Sequence, residues 1–167
     1  MSKAVLISIR PRWCQKIVNG EKTIEVRKNR PKLATPFKCY IYETRGLVEK
    51  DGTITFRLGG TVIGEFVCDT YVTDKTFGHD ALFNAAACMD EDDAADYANG
   101  SPLYGWHISD LVIYDEPKEL GEYRRVCIDD LYCDSCAMYW NNGGNCGNES
   151  LRLKRPPQSW CYVQEVE

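Results

Sequence analysis

A chain of 167 residues, 44% apolar and 27% charged, has the length and composition of one globular domain with a real hydrophobic core. No apolar run approaches the roughly 20 residues that span a bilayer. The opening Met1-Ser2-Lys3-Ala4-Val5-Leu6-Ile7-Ser8 lacks the long apolar stretch and cleavage site of a signal peptide, so a cytoplasmic location is expected. A formal charge of −5 and a pI near 5.1 argue against promiscuous nucleic-acid binding. The charge is uneven, however. Residues 1–36 hold nine Lys or Arg against Glu21 and Glu25, which leaves either a local basic face or chance clustering on a solvated surface.

Val5, Ile7 and Ile9 alternate with Leu6, Ser8 and Arg10, the pattern of a first strand over residues 3–10. Pro11 suits the first turn of a helix, where its missing N–H costs nothing. Trp13, Cys14, Ile17 and Val18 recur at helical spacing, and Asn19-Gly20 is a stop. So short a helix must be held by packing, and Trp13 reads as core. In Gly20-Glu21-Lys22-Thr23-Ile24-Glu25-Val26-Arg27, Ile24 and Val26 alternate with Thr23, Glu25 and Arg27, and Lys22 stands at the strand's mouth. A lysine, a carboxylate and an arginine so close together suit a site for a polar, planar or anionic ligand. They equally suit a solvated edge strand with an ordinary ion pair, worth little.

A basic loop, residues 28–36, leads to strand formers over 37–45. Asp51-Gly52 signals a hairpin, with residues 53–58 pairing back. Residues 61–72 read as a longer strand in which Gly64 marks a bulge or close approach, and Glu65 is its lone carboxylate. Residues 79–99 predict two short helices, the acidic Asp90-Glu91-Asp92-Asp93 falling at the start of the second, where carboxylates favour the dipole. Residues 104–114 predict another strand ended by Pro117, and 155–163 a loop entering a closing strand. No internal repeat is present. The sum is an α+β fold built on a small mixed barrel.

Of nine cysteines, Cys14, Cys39, Cys68, Cys88 and Cys161 sit singly in apolar surroundings, as small core residues do. Cys127, Cys133, Cys136 and Cys146 cluster in a segment rich in Asn and Gly. Four such cysteines around a Cys-x2-Cys pair suit a structural zinc that orders a polar loop, residues 115–154 being an insertion in a single domain 1–167. Unrelated thiols or a redox pair are the rival readings.

Val5-Leu6-Ile7-Ser8-Ile9-Arg10-Pro11 followed by Ile17-Val18-Asn19-Gly20-Glu21-Lys22-Thr23-Ile24-Glu25-Val26-Arg27 resembles the opening of the ASCH domain, a PUA-like family whose signature glycine, lysine, glutamate and arginine match Gly20, Lys22, Glu25 and Arg27. The strands around Gly64-Glu65 and Trp106-His107-Ile108-Ser109 suit the family. Pro156-Pro157-Gln158-Ser159-Trp160-Cys161-Tyr162-Val163 resembles the ending of phage and bacterial members. The resemblance implies a PUA-like β-barrel with short flanking helices, a cysteine-containing insertion, and a cleft beside the helix before the second strand. It also implies recognition of RNA or a modified nucleotide there. Arg10, Lys22, Glu25, Arg27, Tyr104 and Trp106 are then candidate ligand contacts, supplying the cations, carboxylate and aromatic faces that an unpaired base requires. Trp106 reads equally as core, and Trp160 as core.

One branch of that superfamily is enzymatic and deacetylates acetylcytidine with a lysine, a threonine three residues later and a distant glutamate. Lys22 matches the lysine and Glu65 the glutamate, but residue 25 is Glu, which does not replace a hydroxyl nucleophile. As an enzyme the chain would be an amidohydrolase using Lys22 with Glu25 or Glu65. A third reading is a regulatory module whose acidic 79–99 face meets a basic protein.

Overall fold

The computed structural model describes residues 2–50, 53–57, 59–73, 81–127, 136–144 and 146–166. A five-stranded sheet is its backbone. In sheet order it contains β10 (Trp160–Gln164), β1 (Lys3–Ile9), β3 (Phe37–Glu43), β6 (Thr61–Cys68) and β9 (Ser109–Glu119). β1 and β3 run parallel, and the other neighbours are antiparallel. A second sheet orders β2 (Ile24–Arg27), β8 (Tyr104–His107) and β7 (Tyr71–Thr73), all antiparallel. β4 (Gly46–Lys50) and β5 (Thr53–Arg57) form the hairpin expected around residues 51–52, which themselves lie outside the described residues.

Two strands pass from one sheet into the other. Ile108 alone separates β8 from β9 and donates its backbone N–H to Thr23 O; Asp69 and Thr70 separate β6 from β7. The pairings among the described residues thus make two joined sheets, where the sequence reading expects a barrel. At Gly64 the register of β6 against β9 shifts, and a Cβ there would meet Val112 O at 2.4 Å, so the expected close approach is found. β9 runs on through Pro117 to Glu119. Pro117 does not end it because β9 is an edge strand, where a missing N–H is tolerated.

The alternation in β1 separates two buried faces and no solvent face. Val5, Ile7 and Ile9 join Cys14, Ile17, Cys39, Ile41, Phe66 and Trp106 in one core. Ala4 and Leu6 join Tyr40, Val62, Leu120, Tyr123 and Leu153 in another. That second core is closed by chain around residues 120–125 and 151–154, which bridge through Arg124 to Arg152 and through Arg125 to Val163. The described part of the expected insertion therefore covers the sheet. A third core holds Ile24 and Val26 of β2 against Phe83, Ala87 and Ala94 of the helices α2 (Ala81–Ala87) and α3 (Glu91–Ala98). The acidic run starts α3 as expected, Asp90 accepting from the backbone N–H of Asp93. No helix among the described residues is long and apolar enough to cross a membrane.

Candidate functional site

Helix α1 (Pro11–Val18) starts on Pro11 and buries Cys14 and Ile17. Gly20, at φ +75°, turns the chain out of it, and the N–H groups of Glu21 and Lys22 both return to Lys16 O. This turn fixes where Lys22 leaves the helix. Thr23 then donates its N–H to Ala86 O, docking β2 beside the end of α2.

The carboxylate of Glu25 stands between two cations. Its Oε1 forms an ion pair with Arg27 Nη2 at 2.9 Å, and its Oε2 lies 3.6 Å from Lys22 Nζ. Lys22 and Glu25 are only 3% and 5% exposed. The solvated reading of this stretch is therefore set aside: β2 stands at the edge of its sheet, as expected, but is buried on both faces, and the three ionic groups form one partly sequestered cluster. Lys22 Nζ also donates to Ala87 O at the C-terminal end of α2, a place that favours a cation. Arg27 Nη2 donates to Ser8 O at 2.6 Å. Burial pushes the Lys22 amine below its ordinary pKa, against the opposing pull of the Glu25 charge. Two buried atoms here make no hydrogen bond, Glu25 Oε2 and Arg27 Nε.

These residues border a cleft of about 690 Å³. Arg10, Arg12 and Trp13 wall it at the β1–α1 junction; Met89, Asp93 and Tyr97 wall it from α3 and the residues before it; residues 156–159 close a third side. That last segment is tied down by Ser8, whose Oγ donates to Pro157 O at 2.7 Å and whose N–H donates to Ser159 O at 2.9 Å. Trp13, expected in the core, packs against the core and lines the cleft as well. Arg12 lies 4.3 Å and Lys22 Nζ 5.0 Å from its ring centroid.

The structure brings four of the expected ligand contacts, Arg10, Lys22, Glu25 and Arg27, to the cleft. Trp106 pairs across from Glu25 but is wholly buried, packed edge-on against Phe37, Tyr71 and Trp160. Tyr104 packs against the same core, with Arg30 6.0 Å from its ring centroid, and lies outside the cleft lining. Glu65 also lies elsewhere. It accepts from Tyr114 OH at 2.5 Å and pairs with Lys38 at 3.2 Å. Sequence reasoning missed Met89, Asp93, Tyr97 and residues 156–159. Asp93 was visible only in an acidic helix start and residues 156–159 only as a Pro-rich loop, without any cue that they meet.

Cys14, Cys39 and Cys68 are buried as expected, while Cys88 and Cys161 are half-buried. Cys127, Cys136 and Cys146 are half-buried, and Cys133 lies outside the described residues. Among the described residues no group of three His, Cys, Asp or Glu is placed to hold a metal ion.

A two-sheet α+β scaffold with a lysine–glutamate–arginine cluster at the end of its first helix is the class of protein that these features define. Residues 7–76 match the ASCH domain family, and the match takes in Lys22, Glu25 and Arg27. The fold of the chain is similar to the crystal structure of ASCH from Zymomonas mobilis, at 21% identity and a TM-score of 0.57, over 97% of this chain and 88% of that one. It is also similar to two single-residue mutants of that protein at 21% identity. Their TM-scores are 0.56 and 0.55, and they cover 98% and 97% of this chain against 92% and 89% of theirs. No curated protein matches. Residues 7–76, a little under half of the chain, are thus similar to the ASCH domain, and the fold of the whole chain is like that of the Zymomonas mobilis ASCH protein.

Proposed function

We propose that the cleft beside α1 binds RNA or a modified nucleotide, with Lys22, Glu25 and Arg27 as its floor and Trp13, Arg10 and Arg12 at its wall. The observation that carries this reading is the Glu25 carboxylate, buried between two cations at the edge of a cleft of about 690 Å³ with one oxygen lacking a hydrogen bond. Such a carboxylate suits a donor on a ligand, the exposed arginines suit phosphate, and an indole suits a base face. ASCH is a PUA-like family, which agrees with the assignment. Titration with short single-stranded RNA and with nucleoside monophosphates at low salt tests it. Saturable binding that Lys22→Met and Trp13→Ala weaken is expected; no binding at low salt rejects it.

Hydrolysis of an acetylated cytidine is the second reading, favoured by one feature. Lys22 carries a lowered pKa, which helps an amine act as a general base, and Glu25 is beside it. Glu65 takes no part, since it does not reach the cleft. Incubation with N4-acetylcytidine decides: turnover no greater than that of Lys22→Met rules catalysis out. Structural zinc at Cys127, Cys133, Cys136 and Cys146 is proposed on their spacing, and metal quantitation on untagged protein with a stoichiometry near zero would dispose of it. If RNA fails to bind while a basic protein partner does, the regulatory-module reading takes over.

A further inference from the structure

We infer that the floor of the cleft reads a neutral edge carrying an N–H donor beside an acceptor, the free edge of an unalkylated base, and that phosphate is held at the mouth. This inference rests on the nucleotide reading above and goes further by fixing which part of the ligand enters first. It follows from the hydrogen bonds that the floor leaves unmade.

A carboxylate accepts at about four lone-pair positions. Glu25 uses Oε1 for Arg27, while Oε2 is shut off from water with no hydrogen bond, Lys22 Nζ being too far at 3.6 Å. Arg27 spends Nη2 on both Ser8 O and Glu25, and its Nε is likewise buried and unbonded. The lysine has donated one hydrogen, to Ala87 O, out of three. The floor therefore offers one strong acceptor flanked by spare donors. A ligand satisfies both only by presenting a donor next to an acceptor, as N3–H and O4 of uracil or N4–H and N3 of cytosine do. A phosphate is anionic and would meet the Glu25 charge at close range. Exposed Arg10 and Arg12 offer it a better place at the rim. Oε2 is out of water's reach in this conformation, so entry of the edge requires a bordering side chain to turn aside.

Calorimetric titration of the full chain with uridine monophosphate against 3-methyluridine monophosphate, and with cytidine monophosphate against N4,N4-dimethylcytidine monophosphate, tests this. Methylation removes the N–H and leaves charge and stacking face in place. Losing a hydrogen bond to a buried carboxylate is expected to weaken binding about ten- to a hundredfold. In Glu25→Met the difference within each pair should vanish. If that variant does not fold, the wild-type series decides alone. Equal affinity for methylated and parent nucleotides overturns the inference and leaves nucleotide binding standing. Absence of binding by every nucleotide overturns both. Strong competition by inorganic phosphate against the uncharged nucleoside uridine would put the anion on the floor and also overturn it.

Discussion

Lys22 and Ala87 stand 65 residues apart in sequence, and the lysine's ammonium donates to the alanine's carbonyl at 2.5 Å. One side chain thus ties the end of α2 to the cluster on β2. Lys22→Met removes that bond but also a buried cation, and Arg27 still balances Glu25, so the expected loss is modest, about 1–2 kcal/mol. Glu25→Gln leaves two buried cations facing each other without their carboxylate. It should cost more, on the order of 3–5 kcal/mol. Urea denaturation of the two variants gives the order directly, and the reverse order would contradict the cluster described.

Trp13 supplies the aromatic wall. Trp13→Ala is expected to weaken single-stranded RNA binding by about 1–3 kcal/mol, the worth of a stacked base. Because the indole also packs against the core, the melting temperature should fall as well. Trp13→Phe separates the two effects, keeping most of the packing with a smaller stacking surface.

The arginines at the rim act through charge. Removing one phosphate contact from a single-stranded ligand lowers the slope of log K against log salt by about 0.7. Arg10→Ala and Arg12→Ala should each flatten the salt dependence by about that much. A slope unchanged in both would place the phosphate elsewhere.

Alkaline instability follows from the tyrosines. Burial raises the pKa values of Tyr71, Tyr114 and Tyr123 well above their ordinary 10.0, and Glu65 adds to the effect at Tyr114. Burial likewise pushes the Cys68 thiol from 9.0 to about 12. The folded state keeps protons that the unfolded chain releases first, so this stability is fully present below pH 9 and is lost as pH climbs past 10. Each such tyrosine removes up to about 1.4 kcal/mol per pH unit there. Lys22 has the opposite sign, since its lowered pKa makes stability rise with pH toward 10.5. It is one group against several. Thermal melts between pH 8 and 11 should fall off above 10, less steeply in Tyr114→Phe.

Gly64 admits no side chain, because a Cβ would sit 2.4 Å from Val112 O. Gly64→Ala must part β6 from β9 or shift the register between them, at a cost of about 1–3 kcal/mol. A variant as stable as the parent would mean that the two strands are not so closely apposed.

Local patterns carried much of this molecule. The α1 stop, the Gly64 contact, the α3 start and the Lys22–Arg27 stretch were all legible, because each depends on residues adjacent in the chain. The cleft itself was less so. Alternation placed Glu25 and Arg27 together but could not say that they would be shielded from water. Trp106 and Tyr104 have the right chemistry for a ligand and the right strand, yet β2 and β8 pair so that Trp106 faces the core shared with Phe37 and Tyr71. Glu65 shows the same limit. Its strand fills the five-stranded sheet, and its carboxylate meets Tyr114 on the side away from Lys22. Long-range partnership decided these cases, and no spacing along the chain encodes it.

Ser8 holds Pro157 and Ser159 across nearly the whole length of the polypeptide. A peptide excised to residues 7–76 would keep the ionic trio yet lose two of the hollow's three enclosing sides. Transplanting the family signature into another host would accordingly carry over its charges and leave the concavity behind.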